Sequence, residues 1–74
     1  MLRFTAKFYD EKTGRLLEEV TVNGEPIHSG ERIPNVSDVA LALVTRVDPE
    51  QPAPRGRGGR LFQKVWVRDW FGTN

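Results

Sequence analysis

The chain has 74 residues, with 11 Lys plus Arg against 10 Asp plus Glu, one His and no Cys. The missing cysteines exclude a disulfide scaffold, a zinc ribbon and thiol catalysis, and no apolar run approaches the roughly 20 residues of a membrane span. Leu, Ile, Val and Phe total 20 residues, too many for a chain disordered by composition.

The chain reads as one small domain over residues 1–74. At this size about 60–65% of the unfolded surface is buried on folding, so a partner or a second copy has stability to add. The first residues, Met1 to Phe8, lack the apolar core and cleavage site of a signal peptide. Together with the absence of cysteine, that points to the cytoplasm.

In chain order, Leu2 to Tyr9 alternates strictly, with Leu2, Phe4, Ala6 and Phe8 on one side and Arg3, Thr5, Lys7 and Tyr9 on the other. Period two marks a half-buried strand. Asp10-Glu11-Lys12-Thr13-Gly14 closes it with a glycine suited to positive φ, so a β-hairpin follows, with its return strand over residues 15–22. On that strand Glu18 falls on the inward face with Leu16, Val20 and Val22, which places it at a barrel rim or opposite Arg3 or Lys7.

Pro26, Gly30 and Pro34 make residues 25–35 a loop containing at most a short extended piece. Val36 to Val47 supports either an amphipathic helix or a strand. The β-branched content favours a strand over 39–47, with a short helical turn near 35–41 as the alternative. Residues 48–59 carry three prolines and three glycines and read as a flexible Pro/Gly/Arg-rich loop. Alternation resumes over 60–68 as the last strand, and Trp70 and Phe71 are placed to close an open barrel end.

These elements predict a mainly β fold, a small antiparallel sheet of four to five strands curled into an SH3-like or OB-like half-barrel. Its expected core is Leu2, Phe4, Phe8, Leu16, Val20, Val22, Leu41, Leu43, Val65 and Val67.

Catalysis finds no support in the sequence. His28, the single histidine, sits in a Pro/Gly-rich loop with no nucleophile elbow nearby. Glu18 and Glu19 are strand neighbours that point to opposite faces, and no set of acids has the spacing of a calcium loop or a zinc site. The reading is a non-enzyme with no cofactor, no metal and no small-molecule substrate.

The positive signal is the distribution of charge. Residues 1–53 carry six basic and nine acidic side chains, a net −3; residues 54–74 carry five basic and one acidic, a net +4. On the last strand Phe62, Lys64, Trp66, Arg68 and Trp70 share one face, while Leu61, Gln63, Val65 and Val67 share the other. Just upstream, Arg55-Gly-Arg-Gly-Gly-Arg60 resembles a single unit of the RGG-type segments of RNA-binding proteins, which implies contacts from Arg55, Arg57 and Arg60 to phosphates.

Two functions follow. The first is an interaction module that binds a protein partner, or itself, through the aromatic and basic C-terminal strand and an exposed edge strand. The alternative is a single-stranded nucleic-acid binder that uses the same strand as a stacking and phosphate-contacting platform. Weighed against both is plain packing, with Trp66 and Phe62 covered by a neighbouring strand and Lys64 and Arg68 snorkelling past them.

Overall fold

The segments that alternate in sequence become strands. The computed structural model describes residues 2–54 and 59–71. It contains β1 (Leu2–Asp10), β2 (Leu16–Gly24), β3 (Arg32–Val36), β4 (Val39–Pro54) and β5 (Leu61–Asp69). All five lie in one sheet of order β2-β1-β5-β4-β3, curled into a half-barrel, as the sequence predicts in outline.

Three of its ladders are antiparallel, but β1 and β5 pair in parallel, with Phe4 opposite Leu61 and Asp10 opposite Val67. That pair corrects the expectation of a wholly antiparallel sheet. The cause is parity. A chain that reverses at each connection sends its first and fifth strands the same way, so bringing them together makes a parallel pair. The open seam then falls between β2 and β3.

The first hairpin forms as its turn residues dictate. Asp10 Oδ1 accepts from Lys12 N at 2.8 Å, Gly14 N donates to Asp10 O at 2.8 Å, and Gly14 takes φ 76°. Residues 37–38 make a tight turn joining β3 to β4, with Asn35 and Ser37 at φ 57° and 55°. The helical alternative for 35–41 is therefore replaced by a hairpin. The β-branched valines pair instead, Val36 opposite Val39.

Residues 48–54 depart from the flexible loop expected over 48–59, because they continue β4. Ala53 pairs with Phe62 and Pro54 with Leu61, beyond an irregularity between Asp48 and Ala53. The prolines are tolerated here because β3 reaches only as far as Leu43, so this half of β4 lies at the edge of the sheet.

Gln63 secures the irregular stretch. It is fully buried, at 0% exposure, among residues that would ordinarily be apolar. Its Nε2 donates to Pro49 O at 3.2 Å, Glu50 O at 3.1 Å and Ile27 O at 3.0 Å, while its Oε1 accepts from Ile27 N at 3.0 Å. One amide thus satisfies main-chain groups of both the β2–β3 loop and the bulged strand. Ile27 is thereby held in the core. The upper part of the same loop is tied to β4 by Gly30 N to Val44 O at 2.8 Å and Val44 N to Glu31 O at 2.9 Å.

The core comprises Phe4, Ala6, Phe8, Ile27, Val36, Ala42, Val44, Val65 and Val67, with Leu2, Leu17, Val20 and Val22 among those packed on it. Leu41 and Leu43, expected inside, face outward in β4 while Ala42 and Val44 face in. Leu16 is also outside, 48% exposed, since the β1–β2 register shifts between Phe8 and Tyr9 and brings Leu17 inward instead. A one-residue change of register exchanges the two faces of a strand.

Candidate functional site

The face of the sheet turned away from the core collects the residues that carry chemistry. Since Phe4, Ala6 and Phe8 point inward on β1, Arg3, Thr5, Lys7 and Tyr9 point outward. On β5 the buried Gln63, Val65 and Val67 leave Phe62, Lys64, Trp66 and Arg68 outside, as the sequence predicts. Register brings Tyr9, Trp66 and Arg46 into one row across β1, β5 and β4, and Arg68, Leu43 and Arg32 into the next across β5, β4 and β3.

Three rings stand four residues apart along β5 and its end, and each is capped by a cation from a different strand. Lys7 Nζ lies 5.2 Å from the Phe62 ring centre, Arg46 Cζ lies 3.8 Å from that of Trp66, and Arg32 Cζ lies 5.0 Å from that of Trp70. Trp66 also stacks on Tyr9, with centroids 5.6 Å apart and planes inclined by 24°. Each capped pair contributes about 0.5–1 kcal/mol at an exposed site. Trp66 thus lies between Tyr9 of one neighbouring strand and Arg46 of the other, a packed role beside any binding role.

At outward strand positions paired in register the described residues place six cations, Arg3, Lys7, Arg32, Arg46, Lys64 and Arg68, against two acids, Glu19 and Asp48, with the exposed Glu50 a third acid in the irregular part of β4. This is an electropositive face. Acids gather at one end: Asp10, Glu11, Asp38 and Asp69 line an open cleft of about 450 Å³ at the hairpin end, shared with Lys12, Arg15 and Arg68. Among the described residues no group of three or more His, Cys, Asp or Glu is arranged to hold a metal ion, and no helix is long and apolar enough to cross a membrane.

Of the residues singled out from sequence, Phe62, Lys64, Trp66 and Arg68 are brought onto this face, with Trp70 at its end beside Arg32. Arg60 is exposed just before β5, while Arg55 and Arg57 lie outside the described residues. Trp70 and Phe71 do not close the barrel end, being 44% and 65% exposed. Their backbone is set by Trp70 N donating to Leu41 O at 2.9 Å and Phe71 N to Asp69 Oδ1 at 2.9 Å.

Lys7, Tyr9, Arg32 and Arg46 are the site residues that sequence reasoning missed. The outward side of β1 was readable from its alternation, but which strands flank β5 was not. The expected edge strands are β2 and β3, each paired on one side only. Comparison of the chain with protein-family models, with curated proteins and with solved structures finds no match.

Proposed function

We propose that the chain is a non-enzymatic interaction module that docks an acidic protein partner on the outer face of its sheet, working in the cytoplasm. The observation that carries this reading is the row of cation-capped rings on β5 and its end, flanked by Lys64 and Arg68. Trp and Arg are the side chains most often found as interface anchors. A guanidinium stacked on a ring keeps its N–H edge available for a carboxylate. The cationic excess favours an acidic partner and speeds its encounter. A dimer related by a two-fold axis through this face would set like charges against each other, so the occupant proposed is a different chain.

Single-stranded nucleic acid is the second reading, favoured by the same charge excess. It is weakened by the engagement of Trp66 with Tyr9 and Arg46, which leaves less ring surface for a base to stack on.

Both tryptophans are in this region, so their fluorescence reports on it directly. Titration with a glutamate-rich peptide at low salt is expected to give a saturable change that weakens as salt rises. An oligonucleotide of equal charge is expected to bind less tightly. No response to the peptide at low salt would contradict the proposal, as would tighter oligonucleotide binding that is lost in Trp66→Ala.

A further inference from the structure

At the end of the sheet away from Trp70, the parallel register of β1 and β5 has a second effect. Phe4 and Leu61 are partners, both turned toward the core. The residues one step before them, Arg3 and Arg60, therefore lie at the same end of adjacent segments, and both are exposed. They line one open cleft of about 510 Å³ with Thr5, Thr21 and Gly59, and no carboxylate lines it among the described residues.

A second like-charged pair shows how unusual this is. Lys7 is opposite Lys64, yet Glu19 flanks Lys7 on β2 and Asp48 flanks Lys64 on β4. The row therefore closes with an acid at each end. The partner of Arg3 on β2 is the uncharged Asn23. Like charges side by side on neighbouring strands are destabilising, and an anion held between them removes that cost. Thr5 and Thr21 are themselves cross-strand partners and add two hydroxyl donors to the two guanidinium forks.

We propose that this cleft binds a dianionic phosphoryl group, either inorganic phosphate or the terminal monoester of a small molecule. Paired arginines suit this ligand because each offers bidentate N–H donors to tetrahedral oxygens, and the hydroxyls donate to those the guanidiniums leave. The site shares Arg3 with the electropositive face but uses neither the tryptophans nor the cations that cap the rings, so phosphate binding and the docking of an acidic chain are tested at different residues.

The test is an amide chemical-shift titration of the whole chain with inorganic phosphate and, separately, with glycerol 3-phosphate. Ionic strength is held constant with sodium chloride. Saturable shifts at Arg3, Thr5, Thr21 and Arg60 with either ligand support the proposal, and which ligand binds more tightly identifies the source. Arg3→Ala and Arg60→Ala are each expected to weaken binding by about tenfold or more, whereas Arg15→Ala in the distant hairpin turn leaves it unchanged.

Thermal melts supply a second readout. In phosphate-free buffer Arg60→Ala melts no lower than the parent chain, and it loses the rise in Tm that phosphate gives the parent. Shifts that do not saturate, that chloride alone reproduces, or that persist undiminished in Arg60→Ala would overturn the proposal.

Discussion

Gln63 shows how one polar side chain in the core shapes its surroundings. A buried amide is costly unless its donors and acceptor are met, and here the groups that meet it belong to main chain that has no strand partner to bond, at Ile27, Pro49 and Glu50. Replacing it by an apolar residue of similar size strands those groups in the interior. Gln63→Leu is expected to lower stability by about 2–4 kcal/mol, read from urea unfolding, and to speed hydrogen exchange at the Ile27 amide. Unchanged stability would mean that water replaces the amide at no cost. The sequence placed Gln63 on the inward face with Leu61, Val65 and Val67, yet an inward glutamine among aliphatic residues carries no sign of what it bonds. Its partners are 13, 14 and 36 residues away along the chain.

Among the strands, β1 and β5 were legible because their aliphatic residues fall on one face only, as do Val20 and Val22 of β2, whereas the register shift that exchanges Leu16 and Leu17 was not. β4 was less legible. From Val39 to Val47 both faces carry apolar residues, so period two does not say which side faces the core. The interior takes Ala42 and Val44, packed beside Val67, and leaves the larger Leu41 and Leu43 to the outer face.

The extension of β4 to Pro54 was hidden because proline normally marks the end of a ladder, whereas at an edge its missing N–H costs nothing. The seam between β2 and β3 explains the inward Glu18. It sits at the rim, where its Oε1 accepts from Ser37 N at 2.5 Å and ties β2 to the turn between β3 and β4. An inward charge at a free edge also discourages further strand pairing. Glu18→Ala is expected to cost about 0.5–1.5 kcal/mol, to increase exchange at the Ser37 amide, and to raise the tendency to self-associate in sedimentation. A variant that stays monomeric with Ser37 fully protected would show that the edges are held by other contacts.

For the molecule as a whole, the near-zero net charge hides a segregation that differs from the one along the chain. Divided by sequence, the first 53 residues are acidic and the remainder basic. Folding redistributes this, because Arg3, Lys7, Arg32 and Arg46 of the acidic portion turn outward beside Lys64 and Arg68. Most acids of that portion fall in turns, loops and strand ends instead. The cationic face is therefore a product of strand order, which the odd-stranded curl determines and which no local pattern reveals.

The decisive measurement compares two double variants of equal net charge for affinity to the glutamate-rich peptide. Arg32→Glu with Arg46→Glu reverses two exposed positions on the face, while Lys12→Glu with Arg15→Glu reverses two in the hairpin turn. If the face is the binding surface, the first pair loses about tenfold or more in affinity and the second retains most of it. Equal losses in both would show that the peptide senses net charge alone and would contradict the assignment of this face.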